Sequence, residues 1–400
     1  MIRRIMVLVA VTLSLATRVA KADELVLWEQ ERTLDQQVLD ELIALFQKDS
    51  AGVTVKRAHY RTEDLRAQFQ TAALGKGGAD LVLAPNDFAG PFAVMGIIQP
   101  VDSWAKLDRF YPAVVQAVKD AKGTWGMPIS SGNHLMLFVN KKLAKKIPES
   151  LEEMVDMAKA FTNQEKKLYG LVYNLNEPFW FVPFMGAFGQ QPLTGTTPNL
   201  DTPAMVDALA LVKHLKFDEK IVPADCDYTC ADTLFADRKA MMVINGDWAV
   251  QKYEDELKGD LAILPLPKIK AAGHYMTPLT SGKYLFLNKK LAGAKLDAAK
   301  KFSEFMVSEK VQEILIEKSK RIPVLTAMKD NKVLKSFPNM AASEQAMEHG
   351  TPMPMAVEMR AVWDAIRPQL QQVMAGKTEP KLAASLMQKD AETKIKEMKQ

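Results

Sequence analysis

Apolar positions near the start of the chain alternate between two spacings. Leu25-Val26-Leu27-Trp28 is a short unbroken apolar run, the pattern of a buried strand. Asp35–Lys48 then places Val38, Leu42, Leu45 and Phe46 at helical intervals. Val53–Lys56 predicts a second strand. Thr62 is expected to cap a helix with Glu63 and Asp64 in its first turn, where negative charge meets the positive helix end. That helix buries Leu65, Phe69 and Ala72 and stops at Gly75. Asp80–Leu83, apolar after its first residue, reads as a buried parallel strand. Strand, helix, strand, helix, strand in this order predicts an open α/β sheet with right-handed crossovers.

The same reading continues downstream. Thr124–Ile129 and Leu135–Val139 are expected strands separated by a polar turn, Ser130-Ser131-Gly132-Asn133. Leu151–Phe161 is an expected helix and Tyr169–Tyr173 a buried strand. Asn174–Pro178 is expected to be a loop feeding the aromatic run Phe179-Trp180-Phe181. A long helix runs to Phe217, with Pro203 just inside its N-terminus. Met241–Ile244, Leu261–Leu264 and Tyr284–Leu287 are further strands, and from Asp297 onward the pattern is almost wholly helical. There is no internal repeat and no low-complexity linker, so the chain is expected to cross between lobes on ordered strands, as a hinge.

The first residues change the compartment. Arg3 and Arg4 precede an apolar run from Ile5 to Ala16, and Ala20-Lys21-Ala22 has the small-x-small form of a cleavage site. This predicts a secretory signal peptide over residues 1–22 and a mature protein in the bacterial periplasm; the alternative is an N-terminal helix of a cytosolic protein. The apolar run is shorter than the roughly 20 residues that span a bilayer. The remaining chain exceeds what one core covers, since single cores stop growing near about 250–300 residues, so two lobes are expected. With 48% hydrophobic and 25% charged residues and a net charge of +4, the composition is that of an ordinary globular protein. The cationic residues form no block interleaved with aromatics, which gives nucleic-acid binding no support. Cys226 and Cys230, close together and destined for an oxidising compartment, read as a local disulfide staple, with two free thiols as the alternative.

In an open α/β sheet, ligands sit beyond the carboxyl ends of the strands. Those ends carry Trp28 with Glu29, Glu31 and Arg32; Asn86 and Asp87; Asn174 through Phe179; and Asn245, Asp247 and Trp248. Acids, amides and rings together suit a sugar, which offers hydroxyls to acceptors and amide donors and an apolar C–H face to aromatic rings. Any one of these residues also fits a core or capping role; their collection at strand ends favours binding. No G-x-S-x-G, Walker loop or G-x-G-x-x-G turn occurs, and the five histidines are scattered without metal-ligand spacing. Asp87, Glu177 and Asp247 leave a carbohydrate-active enzyme as an alternative, which depends on carboxylate separations of about 5–9 Å.

Several motifs in order carry a family resemblance over essentially the whole mature chain: Leu25-Val26-Leu27-Trp28, Asn174-Leu175-Asn176-Glu177-Pro178, Asp227-Tyr228, Met242-Val243-Ile244-Asn245-Gly246-Asp247-Trp248 and Val362-Trp363-Asp364-Ala365-Ile366-Arg367. They resemble the extracellular solute-binding proteins of ABC sugar importers, in particular the maltose/maltodextrin-binding family. The resemblance implies a two-lobed α/β clamp, each lobe an open, mostly parallel sheet flanked by helices, with a helical tail. The N-lobe would comprise residues 23–131 and 282–326, the C-lobe residues 132–281 and 327–400, with crossings near Ser131, Ser281 and Leu325. It implies an oligosaccharide ligand, an inner-membrane ABC permease as partner with a chemoreceptor as a second candidate, a monomer, no chemical step, no cofactor and no metal.

Position by position, Asp87 resembles the N-lobe carboxylate that accepts sugar hydroxyls. Glu177, Pro178 and Phe179, with Tyr228, Trp248, Trp363 and Arg367, match the C-lobe lining. The departures concentrate in the N-lobe. Ala84 stands where the family has a tryptophan, Phe88 where an arginine follows the aspartate, and Asn133 where a glutamate sits; an early Asp-Lys pair is absent, with Arg32 and Thr33 nearby. The lost platform and charged contacts are each expected to weaken maltose by about 1–3 kcal/mol unless Phe88, like Asn133 a candidate contact, restores a stacking surface. A rebuilt N-lobe leaves trehalose, another oligosaccharide or a glycerol-phosphate type solute as alternative ligands.

Overall fold

The structure, a computed structural model, describes residues 23–398 apart from Ala51 and Lys76. The expected signal peptide over residues 1–22 lies outside the described residues. The first half opens with β1 (Asp23–Glu29), α1 (Thr33–Asp49), β2 (Val53–His59), α2 (Thr62–Leu74) and β3 (Leu81–Pro85). Thr62 does not cap α2. The extended residue Arg61 precedes the helix, with no side-chain cap, and Thr62 is already helical. After β4 (Met127–Gly132) come β5 (Leu135–Asn140), α3 (Leu151–Phe161), β6 (Tyr169–Val172), α4 (Pro178–Gly186), α5 (Pro203–Phe217) and α6 (Tyr228–Ala236). Then follow β7 (Ala240–Gly246), β8 (Leu261–Leu264), β9 (Leu279–Asn288), α7 (Gly293–Met306), α8 (Glu309–Ser319), α9 (Pro338–Met347), α10 (Glu358–Met374) and α11 (Pro380–Met398).

Two principal sheets result. In the first, β2, β1 and β3 are parallel and β9 runs antiparallel beside β3, with β4 also antiparallel to β9. In the second, β8, β5, β7 and β6 lie in that order, and only β7 with β6 is parallel. The architecture is the expected α/β clamp with a helical C-terminal region, but its sheets are mixed and not mostly parallel. The cause is the late strand β9, which returns antiparallel beside β3, and the strand β5, which enters the second sheet against both neighbours.

The period of two along the first sheet sorts its side chains to two faces. Leu25, Leu27, Leu81, Leu83, Leu285 and Leu287 meet α1, α7 and α8 on one face, while Val82, Ala84, Tyr284 and Phe286 join Leu65, Phe69, Phe88 and Phe92 on the other. A separate core surrounds the second sheet and includes Trp180, Trp363 and the apolar faces of α10 and α11. Met328, Leu334 and Met340, downstream of the expected third crossing, still pack with the first sheet.

Three segments lie side by side between the two cores. Ser281 and Gly282 of β9 pair with Gly132 and Ser131 of β4, and Ser131 also bridges Ile322. The expected turn at Ser130–Asn133 is therefore strand as far as Gly132. At Gly132 φ is +112°, and an added Cβ would lie 2.3 Å from Asp247 Oδ2, so only glycine fits there.

Candidate functional site

The aromatic run after Glu177 forms α4, with Pro178 at its first position, where a missing N–H costs nothing. Trp180 is its anchor: buried, with Nε1 donating to the Ile244 carbonyl at 3.1 Å. Around that ring stand Phe179 at 5.6 Å, Tyr228 at 6.0 Å and Trp248 at 6.0 Å, and Phe179 and Trp248 lie 6.2 Å apart. Phe179, Tyr228 and Trp248 are each only half-buried. Pro178 and Trp363 are buried in the same region's core, Trp363 at 6% exposure.

Cys226 and Cys230 are joined in a disulfide. Between them Asp227 caps α6, its side chain accepting the Cys230 N–H at 2.8 Å, and Tyr228 is the first residue of that helix. The staple thus fixes the turn that presents Tyr228. Arg32, from the loop after β1, lies over the Tyr228 ring at 3.8 Å and so reaches across from the first sheet. Burial pushes the Tyr228 phenol up, against the opposing charge of Arg32.

On the first sheet, Asp87 follows β3. Its carboxylate is held by Arg66 of α2 at 2.8 Å, and the Arg66 guanidinium lies 4.0 Å over the ring of Phe88. Phe88 is fully buried, edge-on to Phe92 at 5.4 Å. The expected replacement stacking surface is therefore not at Phe88: β3 turns into a short helical segment that points this ring inward. Half-buried Trp28 and Tyr60, 4.8 Å apart at the ends of β1 and β2, supply aromatic surface on this side.

A chain of alternating charges connects the two sides. Glu63, one turn before Arg66 on α2, bonds Arg360 and lies 3.4 Å from Arg367, both on α10. Arg367 in turn meets Glu177 at 3.0 Å, and Arg360 meets Asp364 at 2.7 Å. Burial pushes the Glu63 carboxyl up, but Arg66, Arg360 and Arg367 outweigh it and hold it below the usual carboxylate range.

Asp247 is fully buried and belongs to the crossing. It accepts the Asn133 N–H at 3.1 Å and lies 3.9 Å from Arg321. Asn133 sits at φ 46°, a conformation asparagine tolerates, with its main chain committed to Asp247. Arg321 also grips Asp35 at 2.6 Å and Glu31 at 3.0 Å, and Lys283 pairs with Glu31 at 3.0 Å. Burial pushes Glu31 up, but Lys283 and Arg321 hold it low; Asp35, buried beside it, is pushed up. Glu31, Asp35 and Asp247, all buried, thus surround Arg321 beside the crossing strands. Among the described residues no group of three or more His, Cys, Asp or Glu side chains is placed to hold a metal ion.

Residues 41–342 match the model of the bacterial extracellular solute-binding proteins. The chain belongs to that family. It is 36% identical to the maltose/maltodextrin-binding domain of Bdellovibrio bacteriovorus solved with maltotriose, with a TM-score of 0.89 over 93% of this chain and 100% of that one. The fold of the Thermus thermophilus maltotriose-binding protein, solved with maltotriose, matches with a TM-score of 0.85 at 24% identity, over 93% of this chain and 100% of that one. The maltotriose-binding protein of Pyrococcus abyssi is 23% identical over 361 residues, 88% of this chain and 77% of the relative.

Of the residues expected from the sequence, Phe179, Tyr228 and Trp248 stand together around Trp180, and Glu177 pairs with Arg367. The sequence alone did not single out Arg66, Glu63 and Arg360, which pair within their own helices but also with residues distant in sequence, or Trp180, noted only within an aromatic run.

Proposed function

We propose that this solute-binding protein captures a maltose- or maltodextrin-type oligosaccharide between its lobes and delivers it to a membrane ABC permease, with no chemical step. One observation carries the reading. Carboxylates from both sheets, Asp87 and Glu177, belong to one charge chain beside an aromatic face of Phe179, Tyr228 and Trp248. Rings take the apolar face of a glucose unit, and the charged groups take its hydroxyls through strong, directional hydrogen bonds. The relatives of Bdellovibrio and Pyrococcus, named for maltodextrin and maltotriose, support this ligand class.

Hinge closure is the mechanism: a ligand that touches both lobes binds the closed state better and shifts the population towards it. We place the first lobe at residues 23–131 and 282 to about 340, extending the expected limit because Met328, Leu334 and Met340 pack with the first sheet. Micromolar affinity corresponds to about 8 kcal/mol, which several stacking and charge-assisted contacts together supply. Export to the periplasm, with cleavage after Ala22, fits the family, and an N-terminus at Asp23 in the secreted protein checks it.

The test is a tryptophan-fluorescence titration of residues 23–400 with maltose, maltotriose, trehalose and sucrose. A saturable response to maltotriose is expected. A response to trehalose or sucrose alone would keep the clamp and overturn the ligand. Silence with all four, or release of nitrophenol from a nitrophenyl glycoside, would overturn the reading.

A further inference from the structure

Glu63 and Arg360 face each other from different lobes. Glu63 stands in the first turn of α2, whose Leu65 and Phe69 pack in the aromatic core of the first sheet. Arg360 stands in the first turn of α10, whose Val362, Trp363 and Ile366 pack in the core of the second. The Arg360 guanidinium is aimed by its own helix: Asp364, one turn on, takes Nε at 2.9 Å and Nη2 at 2.7 Å, leaving Nη1 for Glu63 Oε2. Arg367, seven residues further along the same face of α10, reaches Glu63 Oε1 at 3.4 Å. Arg66 approaches Glu63 from its own helix at 3.7 Å.

One carboxylate therefore receives guanidinium groups from both sides of the cleft. A first-turn helix acid needs none of them to answer its helix dipole. The Glu63 side chain keeps 41% of its surface exposed and Arg360 keeps 24%. An ion pair in such a setting is weak enough to part and re-form, as a contact must that breaks each time the lobes separate.

We propose that Glu63 and Arg360 are a clasp across the cleft: positioning residues that join the lobes in the closed state and set the rate at which bound oligosaccharide leaves. This rests on the binding role proposed above. Arg367 links the clasp to Glu177, so its closing also fixes an acid of the binding site.

The experiment compares the full mature chain with Glu63→Gln, Arg360→Gln and the double variant, using stopped-flow dissociation of maltotriose and small-angle X-ray scattering of the unliganded proteins. Each single variant is expected to release maltotriose about three- to tenfold faster, with association within about twofold. The double variant is expected to match Glu63→Gln, because that change alone already removes the charge pairs with Arg360 and Arg367. Dissociation from the wild type is expected to quicken as salt shortens the Debye length from about 30 Å to about 3 Å, and this sensitivity shrinks in the variants. The unliganded variants are expected to show a larger radius of gyration.

Unchanged dissociation and unchanged radius in both singles overturn the clasp, as do salt-independent effects that multiply in the double variant. If the wild type binds no maltotriose yet the variants expand, the clasp stands and the ligand reading falls. If it binds none and the variants do not expand, both fall.

Discussion

The guanidinium of Arg66 lies 4.0 Å over the ring of Phe88 while holding the Asp87 carboxylate at 2.8 Å. The resemblance places an arginine directly after that aspartate, and this chain has Phe88 instead. The positive charge is restored from α2, and the phenylalanine becomes the floor on which it rests. Asp87 is thus charge-paired from α2 and not from the position that follows it.

Arg66→Lys keeps the charge but loses the flat stack and the fork geometry. It is expected to weaken maltotriose by about 1–2 kcal/mol in calorimetric titration. Phe88→Ala is expected to lower unfolding stability in urea by about 3–5 kcal/mol, the cost of emptying a core site. A Phe88→Ala protein of normal stability would return the ring to the cleft.

Two tryptophans six ångströms apart should behave differently. Trp248 is half-buried and Trp180 is anchored to the Ile244 carbonyl within the core. Trp248→Ala is expected to cost about 1–3 kcal/mol of sugar binding and leave the circular dichroism spectrum intact. Trp180→Ala is expected to cost about 3–5 kcal/mol of stability. Loss of fold in Trp248→Ala would make that ring a core residue.

The Cys226–Cys230 disulfide encloses the cap and first turn of α6, and Tyr228 with them. Its short loop limits the chain-entropy gain to about 2 kcal/mol. Reduction with dithiothreitol is therefore expected to lower the urea midpoint modestly and to weaken maltotriose, because Tyr228 is no longer held. Binding that is indifferent to reduction, and to Cys226→Ser with Cys230→Ser, would remove Tyr228 from the ligand contacts.

What the sequence disclosed follows the range of the interactions involved. Leu151–Phe161 and Leu261–Leu264 agree with the structure residue for residue, since local period and caps decide them. The helix at Pro178–Gly186 escaped notice because it is buried almost all round and shows no amphipathic period. Thr62 misled as a cap because its own residue type is favoured there, whereas Arg61 occupies the position. The charge chain was invisible for a different reason. Arg66 and Asp87 are 21 residues apart, and Arg367 and Glu63 are 304 apart, so no local pattern marks them. Trp28 near the end of β1 and Trp248 just after β7 were legible because strand ends are, and the partners of Asp87 and Glu177 were not.

His134 makes the stability of the crossing depend on pH. It is fully buried, its Nε2 lies 2.9 Å from the Ser343 carbonyl, and Nδ1 has no hydrogen-bond partner among the described residues. Nε2 therefore carries the proton of a neutral ring. Burial pushes its pKa below the ordinary value of 6.5, outweighing the nearby Asp247 charge and the Ser343 contact, which act the other way. In the unfolded chain the ring protonates near about pH 6.5. The unfolded state then binds the proton that the folded state refuses, so stability is fully present above that pH and falls below it. The slope is at most about 1.4 kcal/mol per pH unit. Urea unfolding between about pH 7 and about pH 5 is expected to show this loss. His134→Gln, which keeps an N–H for Ser343, is expected to flatten the slope. An equal slope in His134→Gln would assign the acid sensitivity to the carboxylates around Arg321.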